Sequence, residues 1–215
     1  GPSGACMGAV WPAAAPPGPP VPGHHAAPPA GVPWSPGDRA GRLMPAMATT
    51  AELARYYTTL GPGAVDHLQR LVGSWGLLAD ISFADLLLFA RVDPGRKVPG
   101  VAEEAEGAGE RLVVLGQVRP LTSKTLFRSD WMGDVISVDE RPMVMRALRL
   151  GELIEGEIPH PSLRELVRVQ CIPVRYEGRT IAVMTRESTP TVGRHQGELE
   201  RAYIEVFNRF VRIIA

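Results

Sequence analysis

Cysteine is nearly missing: Cys6 and Cys171 are the two in 215 residues. Two cysteines exclude a disulfide framework and a multi-cysteine zinc site. They weigh toward a reducing, cytoplasmic setting. Net charge is missing too, with 23 basic against 23 acidic residues. A chain with no surplus of positive charge does not bind nucleic acid through a global field. No apolar run approaches the ~20 residues of a membrane-spanning helix. The N-terminus also lacks the basic start and apolar stretch of a signal peptide. Catalytic signatures are absent as well, with no Gly-x-Ser-x-Gly, no His-Glu-x-x-His and no Walker loop.

What is present is unevenly spread. Residues 1–46 hold 12 of the 21 prolines and eight of the 23 glycines, with no Ile or Phe. Such a segment cannot bury enough apolar area to offset chain entropy. A disordered Pro/Ala/Gly-rich tail is therefore expected over 1–46, and one folded domain over 47–215. His24-His25 in that tail lacks the three or four ordered ligands that a metal site needs.

From residue 47 the patterning is that of a globular domain. A short helix is expected near 50–59, before the Gly61-Pro62-Gly63 break. Val65, Leu68, Leu71, Val72, Trp75 and Leu78 recur at steps of three and four, which predicts a single helix over about 63–79. Residues 85–92 and 111–119 read as apolar strands, closed by Asp93-Pro94-Gly95 and Pro120. Residues 94–110 between them read as a solvated loop. Residues 123–127 and 134–138 are short strand candidates. Residues 142–150 read as a helix with Pro142 in its first turn, and 151–163 as loop. Residues 166–176 and 179–186 flank Glu177-Gly178, a hairpin signature. A final helix spans about 194–215. It is still apolar at Ala215, which suggests that the natural protein continues. The order implies an α+β fold, a central antiparallel sheet with the N- and C-terminal helices on one face. That layout matches small sensory domains of the GAF and PAS type.

Specific strings sharpen the match. Ala64-Val-Asp-His-Leu68 and Trp75-Gly-Leu-Leu-Ala-Asp-Ile-Ser-Phe-Ala-Asp85 are the first. Gln117-Val-Arg-Pro-Leu-Thr122, Thr125, and Asp130 with Gly133 follow. Pro173-Val-Arg-Tyr176, Ile181-Ala-Val-Met-Thr-Arg186 and Gly197-Glu-Leu-Glu-Arg-Ala-Tyr203 complete the set. Over about residues 50–215 the chain resembles the N-terminal GAF-type sensor domain of a family of actinobacterial two-component histidine kinases. The resemblance implies a parent chain running GAF, PAS, then kinase core, and a response regulator with an RNA-binding antiterminator output. It also implies that ATP and Mg belong to the kinase core. No phosphoacceptor box or ATP-binding box is visible in these residues.

The resemblance places a ligand pocket near the end of the second strand. Gln117, Arg119, Thr122, Arg128, His160 and Arg168 are its candidate lining. Arg119 is suited to bidentate contact with a phosphate or carboxylate; the bland alternative is a pair with Asp130 or Asp134. Arg168, Gln170 and Arg175 either join Arg128 in a basic pocket for a nucleotide-like ligand or form the wet face of a half-buried sheet. His160, between two prolines, is the candidate pH-responsive or metal-responsive group. Cys171 reads as a small buried hydrophobe. Asp80 and Asp85, bracketing Ser82, invite an acid/base reading, but Asp80 or Ser82 suits a turn or cap role better. Leu199, Tyr203, Val206, Phe210 and Ile213 form the stripe of a dimerising and signalling helix.

The leading expectation is a homodimeric sensor domain that carries the state of an unidentified small-molecule ligand to downstream PAS and kinase domains. No nucleic acid, membrane or metal is expected. The alternative is a free-standing small-molecule-binding protein or a reductase on the same fold. Reductase chemistry needs a nucleophilic and a resolving cysteine, and Cys171 stands alone in the folded part.

Overall fold

A computed structural model describes residues 48–97, 109–159, 166–189 and 197–214. The tail over 1–46, His160 and most of the 94–110 loop therefore lie outside the described residues. Helix α1 (Thr50–Tyr57) opens on a capping box: the Glu52 amide donates to Thr49 Oγ1, and the Thr49 amide donates to Glu52 Oε2 at 2.7 Å. Helix α2 (Pro62–Gly73) starts with Pro62, whose missing N–H is one that the first turn would leave unpaired.

The single helix expected over 63–79 is two. Helix α2 ends at Ser74, and α3 (Trp75–Ser82) begins there. The Ser74 hydroxyl and amide both donate to the Leu71 carbonyl, so the side chain competes with the helical ladder beside Gly73. The apolar steps continue through the break, which is why periodicity alone does not show it. Phe83 then takes a left-handed conformation, φ 51° and ψ 41°, and turns the chain into the sheet. Such a conformation in a bulky residue costs about 1–3 kcal/mol and persists only where neighbours hold it.

Six strands make one antiparallel sheet: β1 (Asp85–Arg91), β2 (Arg111–Val118), β3 (Val135–Ser137), β4 (Ile154–Pro159), β5 (Leu166–Tyr176) and β6 (Arg179–Ser188). Their order is β3-β2-β1-β6-β5-β4, so the first strand pairs with the last at the centre. The β5–β6 hairpin turns on Glu177 and Gly178, with φ of 50° and 77°. Positive φ at both central residues matches the right-handed twist of the flanking strands.

Two sheet expectations are corrected. The loop expected over 151–163 contains β4, an edge strand whose Glu155 and Glu157 are exposed. Charged edge strands resist pairing with other chains. Here Ile154 and Ile158 alternate with the two acids and pack on the core, but Gly156 at the central inward position thins the apolar pattern. Residues 123–127 form no strand; they are held irregularly over the sheet by side chains described below.

Helices α1, α2 and α3 and the C-terminal α5 (Glu198–Ile214) cover one face. There Leu86, Leu88, Leu115, Ile172 and Met184 meet Leu53, Leu68, Trp75, Phe207 and Ile214. Helix α4 (Pro142–Leu150) covers the other, where Val144, Met145 and Ala147 pack with Leu87, Phe89, Val114, Val169, Cys171, Trp131 and Ile136. Sheets buried on both faces read as continuous apolar runs, as Leu86–Ala90 does.

The burial on α5 separates its two stripes. Phe207 is fully buried and Val206 is 53% exposed. Phe207→Ala is expected to cost about 3–5 kcal/mol, and Val206→Ala to stay within about 0.5 kcal/mol, in urea unfolding of the monomeric form. Equal losses at the two positions would mean that α5 does not sit on the sheet in this rotation.

Candidate functional site

On the α4 face, polar side chains lock the 121–131 segment onto the sheet. Asp85, 1% exposed at the start of β1, accepts from Thr125 Oγ1 at 2.6 Å and from the Leu126 amide at 2.7 Å. Burial pushes its carboxyl above the ordinary value; the Thr125 and Leu126 donors oppose this, Glu187 adds to it and Arg119 lowers it. Glu187 stands opposite Asp85 in the β1–β6 register. It accepts from Arg141 at 2.8 Å and from Thr185 Oγ1 at 3.0 Å. Arg141 also lies over the rings of Phe89 and Trp131, at 5.8 and 5.5 Å.

Two of the expected pocket residues belong to this lock. Gln117 Oε1 accepts from the Trp131 amide at 2.7 Å, and its buried Nε2 has no partner. Arg119 donates to the carbonyls of Phe127 and Ser129. The Asp80 carboxylate accepts from the Leu121 amide at 2.6 Å, and its carbonyl from Thr122 Oγ1 at 2.8 Å. Asp80 and Asp85 thus tie down two points of one distant segment, a tertiary tether and not the local turn or cap role expected of Asp80 or Ser82. The Ser82 hydroxyl does donate locally, to the Ala79 carbonyl at 3.3 Å. Cys171 is fully buried, and burial pushes its thiol up to about 12. A thiol held there is no nucleophile at neutral pH, which sets the reductase alternative aside.

The helical face holds an open polar cleft of about 590 Å³. Its floor is the strand end with Glu155, Arg168, Gln170 and Arg186. One wall is the C-terminal end of α3 with the 122–124 segment; the other is α5, through Glu200, Ile204 and Asn208. Arg186 organises it. Its Nη2 donates to the Ser82 carbonyl at 2.7 Å, satisfying an orphan acceptor at the end of α3. Its Nη1 donates to Gln170 Oε1 at 3.3 Å, and Gln170 Nε2 in turn donates to Glu155 at 2.6 Å. The guanidinium lies 5.6 Å from the Phe207 ring centroid on α5. Burial pulls its pKa down to about 10, helped by Arg168 and opposed by Glu155, so it stays charged at neutral pH.

Thr122 and Arg168 line this cleft. Gln117 and Arg119 serve the lock on the opposite face. Arg128 is exposed, Arg175 donates to the Gly151 carbonyl at 2.7 Å, and His160 lies outside the described residues. Sequence reasoning missed Arg186, Arg141, Glu187 and Glu155 as a set. The signal for Arg186 was present: alternation puts it on the same strand face as Ala182 and Met184, a basic residue on an apolar face. Among the described residues no group of three or more His, Cys, Asp or Glu is placed to hold a metal. None of the described helices is long and apolar enough to cross a membrane.

Helix α5 carries a second feature. Leu199, Tyr203, Val206 and Ile213 are exposed and Phe210 is half-buried, at steps of four, three, four and three. Tyr203 stacks on Phe83 with centroids 6.4 Å apart.

Comparison with known proteins agrees with this architecture. The family described as the GAF domain of histidine kinase PdtaS matches residues 51–207. The chain is 31% identical over 172 residues to the sensor histidine kinase PdtaS of Mycolicibacterium smegmatis, covering 79% of this chain and 32% of that one. It is 32% identical over 173 residues to the protein of the same name from Mycobacterium tuberculosis strain H37Rv, with the same coverage. A solved structure of the sensor region of a sensor histidine kinase superposes with a TM-score of 0.59 at 31% identity, covering 78% of this chain and 52% of that one. The chain thus spans about a third of the length of these curated relatives.

The raised pKa of Asp85 sets a pH dependence. A carboxyl that binds its proton more tightly when folded contributes stability at low pH and loses it as pH rises through the folded value. Relative to Asp85→Asn, the parent is expected to lose stability as pH rises from 3.8, the ordinary value, to the raised native value, and to differ by a constant amount above it. Urea midpoints from about pH 3 to about pH 8 read this. A parent that gains on the variant with rising pH contradicts it.

Proposed function

The chain belongs to the histidine kinase PdtaS GAF-domain family, and from that premise we propose that it senses a small molecule in the polar cleft and reports it through α5. The observation that carries this is that one helix serves both sites. Glu200, Ile204 and Asn208 of α5 form a wall of the cleft. Leu199, Tyr203, Val206, Phe210 and Ile213 form an apolar stripe on the same helix, with Leu199, Val206 and Ile213 exposed, Tyr203 stacked on Phe83 and Phe210 packed partly against the core.

The stripe has the spacing of a coiled-coil seam, where positions four and three apart keep one face toward a partner helix. A second copy of the chain supplies such a partner, and the pair forms a homodimer along α5. A ligand in the cleft touches both the strand floor and α5. It therefore favours whichever seating of α5 it binds better, and it shifts the dimer seam by that difference in affinity. In the longer protein α5 would carry this shift to downstream PAS and kinase domains. Those domains, with their ATP and Mg, would phosphorylate a response regulator; the residues described here bind and couple.

The dimer seam is tested with Val206→Glu and Ile213→Glu together. Both side chains are exposed, at 53% and 81%, so the domain tolerates the charges. Self-association measured by sedimentation equilibrium is expected to weaken at least tenfold, about 1.4 kcal/mol, with melting of the monomer unchanged. A variant that dimerises as tightly as the parent removes α5 from the interface.

A further inference from the structure

We infer that the cleft takes a small zwitterion of the α-amino-acid type, its carboxylate on Arg186 and its ammonium on Glu155. This rests on the reading of the cleft as a ligand site and adds what the ligand is.

The first ground is the state of Arg186. It is 9% exposed, and among the described residues both of its hydrogen-bonding partners, the Ser82 carbonyl and the Gln170 amide, are uncharged. Its Nε is buried with no partner. A guanidinium withdrawn from water without an anion is costly, and its planar fork fits a carboxylate. Ser123 Oγ, another buried donor with no partner, lines the same cleft.

The second ground is the charge balance. The lining carries Lys124, Arg168 and Arg186 against Glu155, Glu187 and Glu200, so its formal charges cancel. Glu187 is held from the other face by Arg141, and Arg168 pairs with Glu157 at the rim, so these two outside partners offset each other. A polyanion finds little surplus positive charge here, and a dicarboxylate brings its second charge against an acid. A polycation meets Arg186.

The third ground is spacing. The Arg186 guanidinium and the Glu155 carboxylate are bridged by a single carboxamide, that of Gln170. Opposite charges one carboxamide apart match a ligand whose carboxylate and ammonium are borne on one carbon. The volume of about 590 Å³ leaves room for its side chain, and the polar lining favours a polar one.

The test is thermal denaturation of the whole chain with each of the common L-amino acids at millimolar concentration, followed by calorimetric titration of those that shift it. At least one is expected to raise the melting temperature by several degrees at a large excess over Kd. Its carboxamide, which lacks the anion, and the corresponding α-hydroxy acid, which lacks the cation, are each expected to bind at least tenfold more weakly. Glu155→Gln, at an exposed edge position where folding is not at stake, is expected to cut affinity for the amino acid tenfold and leave that for the hydroxy acid unchanged. If the hydroxy acid binds as well as the amino acid, the zwitterion is wrong. If amino acids fail while inorganic phosphate or citrate binds and Arg186→Gln removes that binding, the ligand class is overturned and the sensing cleft stands. If none of these probes binds, the ligand class is overturned and the cleft reading loses its support.

Discussion

The guanidinium of Arg186 is buried at a junction of three elements, and the seating of α5 depends on how that charge is satisfied. One donor closes the end of α3, one reaches β5 through Gln170, and the cationic plane faces Phe207. A desolvated cation over an aromatic ring is worth about 2 kcal/mol, comparable to a charge-assisted hydrogen bond. Phe207 is in turn the fully buried anchor of α5. An anion drawn to Arg186 competes with the ring for the same charge. The cleft and the helix are thereby joined through one side chain, with no longer chain of contacts required.

The two faces of the sheet divide the work. The α4 face is closed: Asp85, Glu187, Arg141, Gln117 and Arg119 spend their polar atoms, Gln117 Nε2 excepted, on one another and on neighbouring side chains and the backbone of 121–131. Such a lock is stable because nearly every buried charge has a partner, and losing one partner strands another. The helical face is open beside α5, where Arg186 keeps an unused donor. Helix α5 is the most lightly anchored wall of the cleft: its only fully packed side chains are Phe207 and Ile214 among its described residues. The strained Phe83 turn and its stack on Tyr203 sit at the same junction.

Much of the fold was legible because both faces of the central strands are dry. Leu86–Ala90 and the 111–118 run read as strands, and Glu177-Gly178 marks the hairpin without ambiguity. The parts that did not read are those where side chains, not periodicity, decide. The break at Ser74 depends on one hydroxyl bonding back to Leu71. Strand β4 alternates Ile154 and Ile158 with Glu155 and Glu157, but Gly156 stands at the inward position between them and leaves too short an apolar pattern to read. The cleft was less legible. Thr122 and Arg168 reach the cleft, while Gln117 and Arg119, from the same motif, turn to the opposite face and hold backbone. A motif shows that residues act together; it does not show on which side of the sheet they act. On α5, burial puts Phe207 and Ile214 against the domain with Phe210 partly packed beside them, and leaves Leu199, Val206 and Ile213 exposed.

The most direct test of the account is a double-mutant cycle on Arg186 and Phe207. Arg186→Met, Phe207→Leu and the double variant are compared with the parent in urea unfolding. The cycle cancels what each substitution does alone, including the uncapped Ser82 carbonyl. A coupling of about 1–2 kcal/mol is predicted if the guanidinium holds α5 through the ring. Losses that add within about 0.5 kcal/mol would show that the two residues stabilise the domain separately, and the link from cleft to helix would have to run elsewhere.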